Sequence, residues 1–450
     1  MTHDEVVRKA KEQGVKLVFF VYCDNSNLIR GKAAHITKLP SRLNSGVGLT
    51  VGQQAVADME TFADIPGMGT AGEARIVADP ATYRQMPWSP SRGIIIGDLL
   101  NLDGTPWACP RTFLKQQIAR AEKMDLRMMV GLEPEFYVAK KDGDYYTPLE
   151  DSHSFHLTGA IYYVDFIDEV IATMEQMGLE VETYYNETGP GHLEIALRYA
   201  DALQAADNHI YYREAVRNVA FKHGLYASFA AKPFPAEAGA GCHIHLSAWD
   251  KAAKKNLFYQ SNTPYALSEL GWQFLAGVME HMPGLMPLMC PTVNSYRRLV
   301  AGSWAGSHLC YGPDNRAASI RIPSLFKGNE MNSANLEVKI PDNSSNPYLA
   351  IGGILAAGLD GIERKLKPNP KQNIDTDPND LTPEEMAERG IARLPYDLED
   401  AIEELEKDSY LVDALGPVLG ESFIKVRKVE WEHFRKRDEL FELQRHFNKY

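Results

Sequence analysis

Residues 131–137 of the 450-residue chain have the sequence Gly-Leu-Glu-Pro-Glu-Phe-Tyr and follow the apolar run Met-Met-Val. The apolar residues around them predict a buried strand over 127–133. Side chains two positions apart on a strand share one face, so Glu133 and Glu135 are predicted to lie side by side. Two carboxylates on one face need a cation between them, or one of them must take up a proton. A salt-bridged or solvated strand end is the alternative interpretation of this stretch alone.

A second acidic segment lies at residues 186–194 and has the sequence Asn-Glu-Thr-Gly-Pro-Gly-His-Leu-Glu. Glu187 and Glu194 flank a Gly-Pro-Gly turn. A tight turn at this point can return both carboxylates to one place, next to a strand predicted over 192–197. An ordinary surface turn is the alternative interpretation.

A third segment, residues 238–247, has the sequence Ala-Gly-Ala-Gly-Cys-His-Ile-His-Leu-Ser. His243 and His245 alternate with Ile244 and Leu246, which predicts that both imidazoles share one face of a strand. Two histidines behind a run of small residues suit one metal ligand beside a phosphate or substrate contact. Taken alone, the His-x-His spacing also fits zinc, and a lone core histidine is usually structural.

The candidate metal ligands are rich in oxygen. They comprise five glutamates and one histidine, namely Glu133, Glu135, Glu187, Glu194, Glu337 and His243. A set with so few soft donors favours Mg²⁺ or Mn²⁺ over Zn²⁺. These metals commonly accompany phosphoryl transfer, where they offset the charge of the transferring group.

A fourth block supplies cationic side chains. Residues 294–299 and 314–323 contain Arg298, Arg316 and Arg321 close to apolar residues typical of strands. The planar guanidinium group suits carboxylates and phosphates because it donates two parallel hydrogen bonds. Isolated surface charge is the alternative interpretation for each arginine alone.

Bulk composition limits the class of protein. A length of 450 residues predicts two or more domains, and 44% hydrophobic residues allow a large core. The 47 Lys and Arg against 60 Asp and Glu give a net charge of −13, which argues against a nucleic acid partner. The apolar run 348–359 is too short to span a membrane, and the charged N-terminal residues lack a signal core. The expected location is the cytoplasm, with no membrane partner.

Hydrophobic periodicity predicts a small α+β unit over residues 1–100 with a long loop at 46–79, and then alternating strands and helices up to about residue 365. The clearest helices are predicted at Asp4–Gln13, Pro110–Lys123, Val164–Met177 and Ala202–His223. The clearest strands are predicted at Lys16–Cys23, Gly93–Gly97, Arg127–Glu133, His192–Leu197, His243–Ala248, Ser319–Ile322 and Leu336–Ile340. Residues 382–450 are predicted to be helical, with the charged part from residue 421 onward on the surface.

Six blocks, in this order along the chain, together resemble the glutamine synthetase family: GLEPEFY, NETGPGHLE, KPFPAEAGAGCHIHLS, PTVNSYRRLV, YGPDNRAASIRIP and LEVKIPDNSSNPYLA. They cover about residues 130–350, with weaker similarity at both ends. The resemblance implies an α+β fold with a small N-terminal β-grasp domain over 1–103. A large catalytic domain is expected over 104–450, with helices on a curved antiparallel sheet and a helical C-terminal region.

The resemblance also implies roles for residues by their position. A first metal is expected to be held by Glu135, Glu187 and Glu194, and a second by Glu133, His243 and Glu337. Two to three Mg²⁺ or Mn²⁺ ions are expected per site. ATP contacts are expected from His245, Ser247 and Arg321. Glutamate contacts are expected from Gly239, Arg298, Arg316 and Lys339. Residues expected to take part in catalysis are Arg298, Trp304 and Arg316.

The implied activity is a ligation driven by ATP as co-substrate, which joins ammonia or an amine to glutamate. The carboxylate attacks the γ-phosphate and becomes an acyl phosphate, while metals and arginines offset the charge. The amine then attacks the activated carbonyl, and phosphate leaves. The resemblance further implies a homo-oligomer, a dodecamer of two hexameric rings with active sites shared between subunits.

Two departures from the family pattern concern the nucleophile. Glutamine synthetase proper has an N-terminal Asp-Gly-Ser-Ser loop that helps to bind and deprotonate ammonium, whereas residues 56–66 here contain Asp58 and Asp64 without that motif. The family also has a flap glutamate after PTVNSYRRLV, and Trp304 stands at that position, three residues after Ala301. An indole removes a base and adds apolar surface, which favours a methylamine-like substrate, as in the γ-glutamylmethylamide synthetases. Sequence drift is the alternative.

Two further departures leave other functions open. Asn335 and Lys339 stand where the family usually has arginines near ATP; lysine keeps the charge without the planar fork, and asparagine loses both. The alternatives are glutamine synthetase proper, which uses ammonia, and a non-catalytic nitrogen-sensing homologue. The intact ligand set argues against the second of these, and the match over whole blocks argues against a guanidino kinase.

Overall fold

The computed structural model describes residues 1–150, 153–300 and 302–450. Ala301, the first residue of the flap stretch, lies outside these ranges. The described residues form two β-sheets with helices packed against them, which confirms the predicted α+β class. One hydrophobic cluster lies on the N-terminal sheet and a larger one lies around the second sheet. The boundary between residues 103 and 104 stays a prediction.

The N-terminal sheet contains β1 Leu17–Cys23, β2 Ile29–His35, β3 Val47–Thr50, β4 Glu73–Ala78, β5 Arg84–Gln85 and β6 Arg92–Asn101. Its order is β2-β1-β6-β4-β3, with β5 paired to β6, and β1 runs parallel to β6. This arrangement is the predicted β-grasp. Strand β1 is apolar throughout because Phe20 and Val21 face different clusters and both are buried. The predicted loop at 46–79 is wrong in part, since β3 and β4 pair there over too few residues to show a period.

The second sheet contains β7 Leu126–Asp142, β8 Tyr145–Pro148, β9 Val181–Asn186, β10 His192–Leu197, β11 Ala200–Asp201, β12 Tyr226–Ser228, β13 Cys242–Asp250, β14 Tyr311–Pro313, β15 Ile320–Ile322 and β16 Leu336–Val338. Its order is β14-β15-β16-β13-β7-β10-β9, and β8, β11 and β12 also pair with β7. Its pairs are antiparallel apart from β14 with β15, which are parallel. The long strand β7 therefore forms the centre of the sheet.

The helices are α1 His3–Glu12, α2 Leu39–Ser45, α3 Pro110–Lys123, α4 Leu157–Ile161, α5 Val164–Gln176, α6 Ala202–Lys222, α7 Glu269–Met289, α8 Val293–Arg298, α9 Glu330–Ser333, α10 Pro347–Glu363, α11 Pro383–Arg389, α12 Leu398–Lys407, α13 Ser409–Leu415, α14 Pro417–Phe434 and α15 Glu439–His446. The predicted bounds of α3 are confirmed, and those of α1, α5 and α6 agree to within a residue. Helix α7 is not among the predicted elements, because Pro283 and Pro287 argue against a continuous helix.

Helices α7 and α10 pack against each other in the core. Helix α10 begins at Pro347, whose preceding residue Asn346 accepts a hydrogen bond from the Tyr348 amide, and it is buried along nearly its full length. The contact is close at Gly358, where an added Cβ atom would lie 2.2 Å from the ring of Phe274. This glycine is needed for space rather than for backbone freedom.

A buried charge cluster joins α7 to its neighbours. His281 Nδ1 lies 2.6 Å from an Asp408 oxygen and its Nε2 lies 3.1 Å from an Asp360 oxygen. Burial lowers the pKa of His281, but the hydrogen bonds to Asp408 and Asp360 outweigh it and raise that pKa above 6.5. The two carboxylates therefore favour the protonated form of His281.

The C-terminal region is helical, as predicted, but its predicted surface position is wrong in part. Arg427, Phe447 and Tyr450 are buried. Arg427 donates to the Pro291 carbonyl at 2.8 Å and to the Asn25 carbonyl at 2.7 Å, so its charge is used inside the fold. Within the described ranges, no helix combines the length and the hydropathy that a transmembrane span requires.

Candidate active site

The candidate residues lie on one face of the second sheet because of its strand register. Glu133 pairs with His243, and Glu135 pairs with Glu194. Further along, Glu337 pairs with both His245 and Arg321. Side chains at directly paired positions of neighbouring strands lie next to each other on the same face. The register thus brings together side chains as distant in sequence as Glu133 and Glu337.

One group of ligand atoms lies at the centre of this face. Atoms of Glu133, His245 and Glu337 lie within 4.8 Å of one another. The predicted ligand His243 lies beside them, with its Nδ1 3.5 Å from a Glu133 oxygen and 3.6 Å from a Glu337 oxygen. The structure therefore brings both histidines to this group, although only His243 was predicted as a metal ligand. The group contains the oxygen and nitrogen donors that a hard divalent cation accepts.

A second group of carboxylates lies next to the first and contains Glu135, Glu187 and Glu194. The turn between β9 and β10 returns the latter two to one place, helped by left-handed backbone at Gly189 and Gly191. Glu135 is buried, and its oxygen accepts a hydrogen bond from the Gly241 amide at 2.7 Å. The turn over residues 188–191 agrees with the predicted one, whereas the role of Glu187 and Glu194 as metal ligands stays a prediction.

Two residues of this group were missed by the sequence analysis. His192 stacks on Tyr137 and places its Nε2 3.2 Å from a Glu135 oxygen. The hydroxyl of Tyr185 donates to a Glu194 oxygen at 2.5 Å. Both lie on the same sheet face as the glutamates, so the two-residue alternation from Glu194 back to His192 could have revealed the first. Tyr185 carries no such signal, because its position depends on pairing with another strand.

The glutamates divide into two kinds by acidity. Burial raises the pKa of Glu135 and Glu337, but His192 and Arg298 outweigh it at Glu135, and His245 and Lys339 outweigh it at Glu337, so that each pKa lies at about 2. The histidines likewise lower the pKa of Glu133. Burial raises the pKa of Glu187 and Glu194 above the usual value, and neighbouring glutamates raise it further. Crowded carboxylates with raised pKa values are the situation that bound cations relieve, so the donor set fits Mg²⁺ or Mn²⁺.

The pKa values of the two histidines are likewise shifted in opposite directions. Burial and the Lys339 ammonium lower the pKa of His243, whose Nε2 lies 3.3 Å from Lys339 Nζ. Burial also lowers the pKa of His245, but Glu133 and Glu337 outweigh it and raise that pKa to about 9. His243 is thus the imidazole with the more available lone pair, which suits the ligand role predicted for it.

The predicted glutamate contacts lie at the edge of the carboxylates. Arg298 is buried and donates to the Ile340 carbonyl at 2.8 Å and to the Lys339 carbonyl at 3.0 Å. An added Cβ atom on Gly239 would lie 2.5 Å from Arg298 Cγ, and one on Gly241 would lie 2.6 Å from Arg298 Nη2. The small residues of the 238–241 run therefore leave the room in which this guanidinium is held.

A cavity of about 750 Å³ opens beside the central group. Its lining includes the three residues predicted to contact ATP, His245, Ser247 and Arg321, and also Arg316, which is predicted to contact glutamate and to take part in catalysis. Arg321 forms an ion pair with Glu337, and Arg316 is exposed. Asn335 also lines the cavity and its Oδ1 lies 2.8 Å from His245 Nδ1. The volume suits a ligand of nucleotide size.

The residues predicted to select the nucleophile have different surroundings. Trp304 lies on the loop between α8 and β14 with left-handed backbone, and 64% of its surface is exposed. Asp58 is buried, with one carboxylate oxygen 3.5 Å from both His446 Nε2 and Lys449 Nζ. Asp64 is exposed. Asp58 is thus engaged by the C-terminal region in this conformation.

Comparison with known proteins gives the family. The model of the glutamine synthetase N-terminal domain matches residues 1–107, and that of the glutamine synthetase catalytic domain matches residues 107–446. A glutamine synthetase of Thermococcus kodakarensis is 37% identical over 387 residues, which cover 85% of this chain and 84% of that protein. One of Mycobacterium tuberculosis is 32% identical over 452 residues, which cover 98% and 97%.

Solved structures agree with this result. A GmaS/ADP complex matches with a TM-score of 0.84 and 30% identity, covering 97% of this chain and 98% of that one. A novel glutamine synthase homolog matches with a TM-score of 0.85 and 30% identity, covering 96% and 97%. The sheet with its row of glutamates and histidines is that of a carbon–nitrogen ligase. The chain belongs to the glutamine synthetase family.

Proposed function

We propose that this protein uses ATP and Mg²⁺ or Mn²⁺ to join a small primary amine, such as methylamine, to the γ-carboxylate of glutamate. The product is a γ-glutamyl amide. The observation that carries the choice of an amine over ammonia is Trp304, which occupies the position of the family's flap glutamate. The indole has no base and offers apolar surface to an alkyl group. The engagement of Asp58 by His446 and Lys449 supports the same choice, because it takes that carboxylate away from an ammonium ion.

In the proposed site, Glu135, Glu187 and Glu194 hold one metal ion, and Glu133, His243 and Glu337 hold another. The site holds two to three ions in total. The bound ions supply positive charge that offsets the phosphates of ATP. The crowding of these carboxylates and the raised pKa of Glu187 and Glu194 support the assignment.

The cationic side chains are proposed to bind glutamate and ATP. Arg298 binds the α-carboxylate of glutamate near Gly239, and its fixed guanidinium supports this role. Lys339 and Arg316 stabilise the charge of the phosphorylated intermediate. Arg321 reaches the phosphates next to Glu337, with which it is paired.

The nucleotide is proposed to occupy the cavity lined by His245 and Ser247. Trp249 Nε1 donates to the Ser247 hydroxyl at 2.9 Å, which orients that hydroxyl. A hydroxyl oriented in this way can accept or donate one directed contact to the nucleotide. Asn335 fixes the His245 ring at 2.8 Å and takes the place of a family arginine at the cost of one positive charge.

Two solved structures of GmaS support the proposed nucleophile, and the names of other relatives favour ammonia. GmaS, gamma-glutamylmethylamide synthetase, occurs among the matching structures, both with ADP and without ligand. The relatives from Thermococcus kodakarensis and Mycobacterium tuberculosis are named glutamine synthetase. Glutamine synthetase proper is therefore the second candidate function. By analogy with the family, we propose a homo-oligomer of two hexameric rings, which measurement of the native mass will test.

The first experiment measures phosphate release from ATP with glutamate and a panel of ammonia, methylamine and ethylamine. The proposal predicts a higher kcat/KM for an alkylamine than for ammonia. Ammonia as clearly the best substrate would contradict it and favour glutamine synthetase proper. ATP binding without turnover, whichever amine is present, would instead support a non-catalytic nitrogen-sensing homologue.

The second experiment replaces Trp304 with glutamate. We expect the ratio of alkylamine to ammonia kcat/KM to fall by about tenfold. This corresponds to the combined free energies of burying one methyl group and of one cation–π contact. Phe221→Glu is the matched control, because Phe221 is an aromatic residue of similar exposure on α6. It should leave the ratio unchanged. A Trp304→Glu variant with the wild-type ratio would show that Trp304 does not select the amine.

A further inference from the structure

An aromatic residue lies exposed next to the carboxylate cluster. Phe155 follows β8 and precedes α4, and 65% of its surface is accessible. Its backbone has a φ of 57°, in the left-handed region that bulky residues rarely adopt. Such a conformation persists where the surroundings determine it, and it occurs often at functional sites.

Two hydrogen bonds attach this segment to the end of β9. The Phe155 amide donates to the Asn186 carbonyl at 3.0 Å. The Asn186 side-chain amide donates to the His153 carbonyl at 2.7 Å. Asn186 directly precedes Glu187, so the exposed ring is fixed next to one of the proposed metal ligands rather than on a distant surface.

The ring is also connected to the cluster through an aromatic contact. The centroid of Phe155 lies 5.4 Å from that of Tyr185, at an interplanar angle of 47°. Tyr185 in turn donates its hydroxyl to Glu194. One face of this pair is apolar and its far end is anionic. A primary alkylammonium ion has the matching shape, with a charged head and an apolar substituent.

We propose that Phe155 and Tyr185 form the wall that receives the alkyl substituent of the amine, while Glu187 and Glu194 attract its charged head. Phe155 is then a specificity-determining residue. The inference rests on the proposed function, because an ammonia enzyme has no substituent to place there. It adds an element to that function, since Phe155 and Trp304 lie on different loops. Burial of one methylene on such a wall contributes about fourfold in affinity.

The test is the variant Phe155→Gly, which removes the ring and suits the left-handed backbone, so the fold is retained. We expect the ratio of ethylamine to ammonia kcat/KM to fall at least about fivefold, through the KM for the amine. The KM values for ATP and glutamate should stay as in the wild type, which separates substrate selection from a structural defect. Tyr145→Ala is the matched control, an exposed aromatic on β8, and should keep the wild-type ratio.

Phe155→Leu gives a second measurement, because leucine keeps apolar surface without the aromatic face. It should restore part of the ethylamine preference that glycine loses. A Phe155→Gly enzyme that keeps the wild-type ratio would contradict the role of Phe155 and leave the proposed function standing. A loss of native mass with an unchanged ratio also contradicts that role, and assigns the ring to contact with a second copy of the chain. A wild-type enzyme that uses ammonia alone overturns both the wall and the proposed function.

Discussion

Replacing Glu194 with glutamine is expected to change both the pH dependence of stability and the binding of cations at the carboxylate cluster. Glu194 is buried on β10 next to Glu135, and Tyr185 donates a hydrogen bond to it. Burial and the neighbouring glutamates raise its pKa well above 4.5. Glutamine keeps the shape and can still accept from Tyr185, but it neither binds nor releases a proton.

The direction of this pKa shift determines how the free energy of unfolding changes with pH. A carboxyl group whose pKa is raised on folding adds stability fully below its unfolded value near 4.5, and loses it as the pH rises through the folded value. The slope is about 1.4 kcal/mol per pH unit for one proton. The metal-free wild type should therefore lose unfolding free energy above pH 4.5 more steeply than Glu194→Gln. A cation at one hundred times its Kd stabilises the wild type by about 2.7 kcal/mol, and the variant by less.

Titration calorimetry with Mn²⁺ measures the linked protons directly. In two buffers of different ionisation enthalpy, at a pH below the raised pKa of Glu194, the wild type should release more protons per site on metal binding than Glu194→Gln, because only an ionised carboxylate binds the metal. Urea unfolding with and without Mn²⁺ gives the stabilisation. Glu175→Gln, an exposed position on α5, is the matched control and should behave as the wild type.

An equal number of released protons in wild type and Glu194→Gln, together with equal Mn²⁺ affinity, would falsify the assignment of Glu194 to the metal site. An unchanged pH slope of the metal-free protein would separately contradict the argument from carboxylate crowding.

The remaining predictions concern stability. Gly358→Ala should lower the free energy of unfolding by about 1–3 kcal/mol because the Phe274 ring must move, whereas Gly420→Ala, where a Cβ atom meets ordinary contacts, should be neutral or stabilising; equal urea midpoints would contradict this. The raised pKa of His281 adds stability below about pH 6.5 that is lost as the pH rises through the folded value. Thermal melts from pH 6 to pH 8 should show this loss in the wild type and not in His281→Gln, and equal pH slopes would show that the contact with Asp408 adds nothing.

The sequence was a good guide where local signals and the fold agree. Helix α3 has its proline at the first position and an apolar face at helical spacing, so its bounds were predicted correctly. The strand containing Glu133 was predicted too short, because Pro134 and the two glutamates interrupt the apolar pattern, whereas the strand continues to Asp142. Helix α7 was missed because its two prolines oppose a helix locally, and packing against α10 outweighs them.

Residue chemistry alone predicted the kind of site. Five glutamates and a histidine on predicted strands and turns indicate a hard divalent metal, since no other common ligand fits so many carboxylates. The short ordered blocks then gave the family, because their residue types and order are fixed in the chain itself. The departure at Trp304 is likewise visible in the sequence.

The tertiary structure decided which groups meet. Strand register placed Tyr185 beside Glu194, and no spacing along the chain contains that information, because a register shift of one residue would reverse the face. Burial and the charges of neighbouring side chains together decided the acidity of each glutamate, and both depend on distances between strands. The folding of the C-terminal helices onto Asp58 also depends on contacts between residues nearly four hundred positions apart. The sequence thus determined the donors, and packing determined their neighbours and their charge.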